Sequence, residues 1–405
     1  MRKLTIFGNN NIFKVVVREK REQEMKAYVA SHLKEMNRQK VYQLIRNTSA
    51  TSKAEITKLT GISAPTVIKI VNFLEENDLI EEIGEIETAI GRRPHMLRLN
   101  ESCMYAMSFL LEGDYLSMGI VNIADEVIYK KVIQITGPYR HIMDKIENEY
   151  VDQLIEESGI AREKLFGIGI ALPVIFNKKK QRISGGPLIS EAEFLDVQED
   201  IDKLETKYHV MVMIENDTNA QTIGEFQKRS GSRQNDLVFI SSGTGLGAGI
   251  IFDGKLRRGS NFMCGEIGYM ALEENHHSNL KALGWMEEKV SYRKIIKDFG
   301  ADITDASVEL TEEQKHEIIE FLAKPLSLAI HNINTCLDCE NVVLGGKSVE
   351  VLGQELVDKI NEYLSRLSIN HVDVKIQSSE DVGLVGMAWL LTNKKIKNIL
   401  SSDIE

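Results

Sequence analysis

The sequence predicts an α/β protein in which a small head is followed by a larger body. Three observations lead to this fold class. The chain has 405 residues, which is too many for one ordinary hydrophobic core. Up to about residue 80, apolar residues recur at helical spacing. From about Met104, short apolar strands alternate with amphipathic helices, as in sheets that are covered by helices.

The composition is that of a soluble globular protein, with 43% hydrophobic and 27% charged residues. No apolar run is long enough to predict a membrane span, and the first 17 residues do not form a secretory signal, so we expect a cytoplasmic protein. Cys336 and Cys339 form a C-x-x-C pair, either a redox or metal site or two small residues on a turn. Since no further ligands occur at zinc spacing, we expect neither a metal nor a cofactor.

The two ends of the chain differ in charge. The net charge is −11, but residues 1–100 contain 17 Lys and Arg against 12 Asp and Glu. The remaining residues contain 32 against 48. A basic head on an acidic body is expected if only the head meets phosphates.

Residues 37–100 have the pattern of a winged helix-turn-helix, preceded by an extension or helix over residues 1–36. Ser52 and Glu55 form the capping-box pattern at the start of a short helix, and Gly61 suits the tight turn that ends it. Ser63 is then placed to cap a second helix, as a reader of the major groove requires.

The second helix and the wing carry the candidate DNA contacts. Thr66 and Lys69 are predicted to point away from the apolar stripe of the helix, while alternation after Leu79 predicts a two-stranded wing with a basic tip. The candidates for contact with a double-stranded DNA operator are Ser63, Ala64, Thr66, Lys69, Arg92 and Arg93. A winged helix used for protein contact, with its charges merely solvated, is the alternative.

Residues 101–405 alternate between apolar strands and amphipathic helices. The predicted strands are Met104–Leu111, Met118–Ile123, Val127–Val132, Phe166–Ala171, Val210–Ile214, Leu237–Ser241, Ala248–Phe252 and Asn341–Leu344. The predicted helices are His141–Ser158, Asp196–Tyr208, Asn219–Lys228, Thr311–Leu337 and Ser348–Leu367.

Glycine-rich turns and nearby carboxylates mark the ligand-binding part of the body. Ser242–Gly249 and Leu344–Lys347 are turns whose backbone N–H groups can approach an anion, although either turn alone is weak support. Asp217 follows a strand and opens a helix, at the edge where α/β folds bind ligands. Gly265–Gly268 and Gly284–Glu287 each place a carboxylate beside glycine, and together these groups suit a polyol.

Four segments resemble the ROK family (repressor, open reading frame, kinase): GIGIALP at 167–173, ENDTNA at 215–220, GTGLGAGIIFDGKLRRGSNFMCGEIGYM at 243–270 and NVVLGG at 341–346. The resemblance extends over nearly all of residues 37–395, including the winged head that family repressors carry. It implies a body of two actin-like (sugar kinase/ribonuclease H-like) α/β lobes that close on a cleft, in a homodimer or homotetramer.

The resemblance also implies roles for single residues. Asp217 matches the general base of the family kinases, and Tyr269 stands where zinc-binding members have histidine. The implied sugar-binding residues are Asn216, Asp217, Glu266, Tyr269 and Glu287. The implied phosphate-loop remnant is Gly243, Thr244 and Gly245.

The chain also departs from the family pattern. In the early phosphate loop of the family kinases, an aspartate and a glycine are replaced here by Leu110 and Glu112. Glu112 and Asp114 are expected to repel phosphates, so we expect no catalysis. The stretch 279–285 contains no cysteine, so a structural zinc site is not expected there.

Three functions follow as hypotheses. The leading one is a repressor of carbohydrate-utilisation genes that binds a sugar or sugar phosphate as its effector. The second is an active ATP-dependent sugar kinase with an appended DNA-binding head. The third is a scaffold that binds DNA and no small molecule, which predicts no ligand-induced thermal shift.

Overall fold

The computed structural model divides the chain into two compact units. The smaller unit contains the described residues up to Cys103 together with those from Asn393 onward, and the larger unit is Met104–Thr392. The residues that the structure describes are 31–85, 95–186, 188–189, 194–229, 235–272, 284–303, 309–367 and 372–402.

The smaller unit is a winged helix-turn-helix, as predicted. Its sheet has the order β1-β3-β2, and all neighbouring strands are antiparallel. A first helix, α1, covers 31–46, so it begins ahead of the predicted start of the head at residue 37. The tip of the wing, with Arg92 and Arg93, lies outside the described residues. The remaining elements are β1 Thr51–Ser52, α2 Lys53–Thr60, α3 Ala64–Glu76, β2 Ile80–Glu85 and β3 His95–Leu99.

Local hydrogen bonds explain the helix boundaries. The Ser52 side chain accepts a bond from the Glu55 backbone N–H at 3.2 Å, and Gly61 ends α2 in the left-handed conformation, with φ of 70°. Ser63 stands at the N-cap of α3, but its hydroxyl lies 2.9 Å from the Thr66 hydroxyl and makes no capping bond. The prediction that Ser63 caps α3 is therefore correct in position and wrong in mechanism.

The last residues of the chain also belong to this unit. The Arg38 guanidinium donates to the carbonyl oxygens of Leu400 and Ser402 at 2.9 and 2.8 Å. It also stacks on the Phe73 ring, 3.4 Å from the centroid. The observed division therefore differs from the predicted domain of residues 101–405, because the residues from Asn393 onward group with the head.

The first lobe of the larger unit is built on a five-stranded sheet with the order β11-β7-β4-β5-β6. Strands β4, β7 and β11 are parallel, whereas β4, β5 and β6 form an antiparallel meander. A small antiparallel sheet, β10-β9-β8, accompanies it. The strands are β4 Tyr105–Glu112, β5 Tyr115–Asn122, β6 Val127–Gln134, β7 Leu165–Leu172, β8 Ile175–Asn177, β9 Arg182–Ser184, β10 Leu195–Asp196 and β11 Met211–Asn216. The helices are α4 Tyr139–Lys145, α5 Val151–Ser158 and α6 Gln198–Tyr208, with a π-helical turn, Ile146–Tyr150, joining α4 to α5.

The second lobe repeats this plan with a sheet of order β14-β13-β12-β15-β16. Its strands are β12 Leu237–Ser242, β13 Leu246–Phe252, β14 Lys255–Leu256, β15 Asn341–Gly345 and β16 Asp373–Ile376. Its helices are α7 Asp217–Arg229, α8 Trp285–Val290, α9 Tyr292–Phe299, α10 Glu312–Leu337 and α11 Lys347–Leu367. The last helix, α12 Val382–Ser401, packs on the sheet of the first lobe. Two five-stranded sheets with helices on them form the two-lobed actin-like body that was predicted.

Alternating residues of β4 supply both faces of the first sheet. Met107, Phe109 and Leu111 pack in the core formed with α4, α5 and α6. Ala106 and Leu110 pack in a second core on the opposite face, where α12 lies.

Helix α12 crosses α7 at a pair of glycines. A Cβ atom on Gly224 would lie 1.7 Å from the Val382 carbonyl oxygen, and one on Gly386 would lie 1.8 Å from that of Ala220. Only glycine permits this approach, which fixes α7 and hence its first residue, Asp217.

The predicted strands and helices of the body are present at closely similar positions, but β8, β9, β10, β14, β16, α8, α9 and α12 were not predicted. In the first half of α12, buried residues such as Leu384, Val385 and Met387 are consecutive or nearly so, and they leave no clear polar face. No helix among the residues described is long and apolar enough to cross a membrane.

Candidate functional site

The end of β11 positions two of the predicted site residues. Asn216 is the last residue of this strand, beside Leu172 of β7, and Asp217 opens α7. The Asn216 amide donates to the Val174 carbonyl oxygen at 3.1 Å and to Asp217 Oδ1 at 3.0 Å. Its own Oδ1 accepts from the Asn219 backbone N–H at 2.9 Å. Asn216 therefore holds Asp217 in place.

Asp217 has a carboxylate oxygen available to a ligand. Oδ1 also accepts from the Thr218 backbone N–H at 2.7 Å, and the hydrogen bonds of Asp217 to other described residues all fall on this oxygen. Burial raises the pKa of Asp217 to about 7, with a smaller contribution from Glu112 and Glu266. A desolvated carboxylate with a free oxygen is a strong acceptor for a hydroxyl group.

A buried ion pair between Glu215 and Arg258 stabilises the end of β11. Glu215 is 2% exposed, and its Oε2 accepts from Arg258 Nη2 at 2.5 Å. Its Oε1 accepts from the Asn219 side chain at 3.1 Å and from the Asn216 backbone N–H at 3.2 Å. Both residues lie in motifs quoted above, but the sequence pattern carries no sign that they meet.

The second lobe brings two more carboxylates to the same place. Glu266 precedes a short 3₁₀ turn, Ile267–Tyr269, and Glu287 lies in the first turn of α8. Burial and the charge of Glu287 raise the pKa of Glu266, and burial raises the pKa of Glu287. Tyr269, in contrast, is 51% exposed. We call Asn216, Asp217, Glu266 and Glu287 the acidic cluster.

The glycine-rich turn between β12 and β13 closes against this cluster. The Gly243 backbone N–H donates to the Gly245 carbonyl oxygen at 3.1 Å, which makes the turn tight. A Cβ atom on Gly245 would lie 3.1 Å from Glu287 Oε1, so a carboxylate borders the turn. Across the lobes, a Cβ atom on Gly113 would lie 2.4 Å from the Thr244 methyl group.

Glu112 occupies the other end of the cleft. It is the last residue of β4 and lies close to Lys347, whose charge lowers its pKa. Burial and the charge of Glu350 raise it more strongly, to about 7. Lys347 Nζ in turn lies 2.5 Å from Glu350 Oε2.

This arrangement, the Glu112–Lys347 contact, places a carboxylate at the N-terminus of α11. The start of α11 and the charge of Lys347 favour the ionised form of Glu112, but burial and the charge of Glu350 outweigh them. Leu110 is 4% exposed and packs in the core, where it offers no ligand to a metal ion. Among the described residues, no group of three or more Asp, Glu, His or Cys could hold a metal.

The head presents α3 as its reading helix. Ser63, Ala64 and Lys69 are exposed, whereas Thr66 is partly buried, with its hydroxyl next to that of Ser63. Four exposed residues on the same helix were not among the predicted contacts, Pro65, Ile68, Asn72 and Glu76.

The ROK family model matches residues 111–394. The chain belongs to the ROK family. A model for a winged helix-turn-helix DNA-binding domain matches residues 37–81. The combination of this head and this body identifies a ROK-family DNA-binding transcriptional regulator.

Named relatives agree with this assignment. The chain is 28% identical over 281 residues to the xylose repressor of Bacillus spizizenii, covering 65% of this chain and 72% of that protein. A crystal structure of a ROK family transcriptional regulator, a homolog of the E. coli MLC protein, superposes with a TM-score of 0.73 at 20% identity over 92% of this chain and 99% of that one. A ROK glucokinase from Streptomyces griseus, solved with glucose and AMPPNP, superposes with a TM-score of 0.61 at 21% identity, covering 71% and 99%. At these identities the two structures show the fold alone.

Proposed function

We propose that this regulator is a repressor of carbohydrate-utilisation genes whose cleft binds a sugar and does not phosphorylate it. One observation carries the proposal: the acidic cluster is assembled, while the opposite end of the cleft is filled by the Glu112–Lys347 contact. Since relatives are named xylose repressors, xylose is the first effector to test.

The chemistry of the acidic cluster favours an uncharged sugar. Carboxylates accept hydrogen bonds from hydroxyl groups, and Asp217 keeps one oxygen for this purpose. A sugar phosphate would bring a second anion toward Glu112, Glu266 and Glu287, whose pKa values are already raised by burial. A neutral pentose or hexose is therefore the proposed effector, in preference to a phosphorylated one.

The Glu112–Lys347 contact argues against phosphoryl transfer, because it occupies one end of the cleft. A kinase needs that end to hold Mg²⁺ and the nucleotide phosphates. Here Glu112 lies beside Lys347 at the start of α11 and Leu110 is buried in the core. A nucleotide phosphate would have to displace a carboxylate and meet its charge.

An ATP-dependent sugar kinase is the second candidate, and one observation favours it. The pKa of Asp217 is raised to about 7, which is the range that suits a general base. In that reaction Asp217 would accept the proton of the attacking sugar hydroxyl. A coupled assay for ADP release separates the two candidates, as described at the end of the Discussion.

We also propose that the regulator acts as a homodimer or homotetramer. Two heads are needed to read two half-sites, which lie about one helical turn of DNA or a multiple of it apart. Sugar binding in the cleft would shift the closure of the lobes and so the spacing of the heads. Sedimentation equilibrium with and without operator DNA gives the oligomeric state, and a monomer bound to DNA would contradict this part.

Sugar-dependent DNA binding tests the repressor proposal directly. DNA fragments selected by the full chain from a random duplex pool serve as the operator, and fluorescence anisotropy reports affinity. We expect xylose or another neutral sugar to change DNA affinity in the wild type by at least about fivefold, the lower end of ordinary coupling energies. Asp217→Asn should shift the response to about tenfold higher sugar concentration, and Asp217→Ala to about 100-fold higher, while both leave sugar-free DNA binding intact. If no sugar gives a thermal shift or a change in affinity, the scaffold hypothesis replaces this one.

A further inference from the structure

The reading helix of the head has an outward face that is partly apolar. Val67, Ile70, Val71, Phe73 and Leu74 of α3 are buried. On the opposite side, Ala64, Ile68 and Asn72 follow one another at intervals of one helical turn and are exposed. Ile68 is 47% exposed. A single exposed aliphatic residue needs no explanation on most surfaces. Ile68, however, lies on the face that a winged helix-turn-helix turns to the major groove.

The side chains of this face limit what α3 can read. Its sequence, APTVIKIVNFLEE, contains one basic residue, Lys69, and no arginine. Arginine and lysine are the usual readers of guanine, whereas asparagine pairs with the N6 and N7 edge of adenine and apolar groups contact the methyl group of thymine. The hydroxyls of Ser63 and Thr66 lie 2.9 Å apart, so one of them donates to the other. Along the line of Ala64, Ile68 and Asn72, the outward chemistry of α3 is therefore methyl groups and one amide, and exposed Pro65, Lys69 and Glu76 border this line.

From this face we infer that α3 reads A·T base pairs, with Ala64 and Ile68 against thymine methyl groups and the Asn72 amide on an adenine. Ala64 brings the helix N-terminus close to the bases because its side chain is small. Ile68 lies one turn further along, and Asn72 one turn beyond it. Lys69 lies at the border of this patch, where it is placed to contact a phosphate. The inference rests on DNA binding by the head and is independent of the sugar proposal.

In vitro selection with the full chain gives the first test. The bases under α3 are expected to be A·T pairs in the selected half-sites, with thymine and adenine at fixed positions. Half-sites in which guanine occupies the most strongly selected positions would overturn the inference. If the chain selects no DNA and shows no salt-dependent binding, DNA binding itself fails, which is a different result.

The second test is a double-mutant cycle that removes the contacting methyl groups from the protein, from the DNA, and from both. Deoxyuridine in place of thymidine deletes one methyl group and keeps base pairing. One such replacement under Ile68 should weaken binding by about fourfold, the effect of one buried carbon. Ile68→Ala should weaken binding to thymine DNA by about five- to tenfold, and the deoxyuridine change should then add little, since both remove the same contact. Fully additive losses would show that Ile68 does not touch the methyl group.

Two variants complete the design. Asn72→Ala should cost about 5- to 100-fold and relax the preference for adenine, and 7-deazaadenine at that position should weaken only the wild type. Leu59→Ala is the matched control, because Leu59 is a 57% exposed aliphatic residue on α2, off the reading face. It should leave affinity and base preference unchanged. An equal loss for Leu59→Ala and Ile68→Ala would show a general effect on the head and overturn the assignment.

Discussion

The two ends of the cleft have kept different parts of a kinase-like site. At one end, Asn216 fixes Asp217, and two further carboxylates from the second lobe complete the acidic cluster. At the other end, Glu112 stands where the family resemblance predicts a phosphate-loop glycine, and it lies close to Lys347 at the start of α11. The proposed function rests on this difference: polar groups suited to a sugar are assembled at one end, and a side chain of the protein itself occupies the other.

The largest effect is expected at the support of the acidic cluster. Arg258→Ala leaves the charge of Glu215 buried without its partner, which should cost about 3–5 kcal/mol in the free energy of unfolding of the body. Chemical denaturation monitored on the full chain measures it. The adjacent Arg257→Ala is the control, because that guanidinium lies 3.8 Å from Asp253 at an exposed position and should have no measurable effect. Equal effects of the two substitutions would show that the buried pair is not a support.

The second prediction concerns sugar affinity. Asp217→Ala should weaken binding of the effector sugar by about 100-fold, because it removes hydrogen bonds to a charged acceptor. Asp217→Asn keeps the shape and loses the charge, so a loss of about tenfold is expected. Isothermal titration calorimetry provides both values. Unchanged affinity in both variants would place the sugar elsewhere.

The third prediction uses pH to probe the opposite end. The pKa of Glu112 is about 7 in the folded state, compared with 4.5 for the free side chain. Between these two pH values, the folded protein therefore keeps a proton on Glu112 that the unfolded chain has lost. The contribution of Glu112 to stability is therefore present at low pH and falls as the pH rises through this range. Glu112→Gln should be about 1–2 kcal/mol more stable than the wild type at pH 8 and similar to it at pH 4.5, since partial exposure reduces the full effect. A difference that is constant with pH would contradict the burial of this charge.

The smallest effect is expected for the exposed rim of the acidic cluster. Tyr269 is a predicted sugar-binding residue, but its side chain is 51% exposed, and water competes for its hydroxyl. Tyr269→Phe should therefore weaken sugar binding by less than about fivefold. A loss as large as that of Asp217→Ala would move Tyr269 into the centre of the site.

Local sequence patterns predicted most of the fold and singled out the carboxylates of the candidate site. The winged head, the strand and helix alternation and the carboxylates beside glycine are visible within short windows, because periodicity and turn chemistry are local. Contacts between residues that are far apart in the sequence are not visible in such windows. Arg258 reaches Glu215 across 43 positions, and the contact of Glu112 with the N-terminus of α11 joins two lobes. Helix α12 was missed because its first half is buried on most sides and lacks a polar face.

The outward face of α3 shows a second limit of prediction from the sequence, which is the rotation of a helix about its own axis. The sequence indicated the helix and its exposed side, and Thr66 was expected to point outward. The structure places Thr66 at the edge of the core, next to Ser63, and leaves Ile68 and Asn72 outermost. Packing of α3 on its neighbours sets this rotation, and helical periodicity alone does not resolve it.

The central claim is that the cleft binds a sugar and does not transfer phosphate. The most direct measurement combines calorimetric titration of the full chain with the effector sugar and a coupled assay for ADP release in the presence of that sugar, ATP and Mg²⁺. We predict saturable sugar binding with no sugar-dependent ADP release. Sugar-dependent ADP release that Asp217→Asn abolishes would contradict the claim and make the protein a kinase with a DNA-binding head.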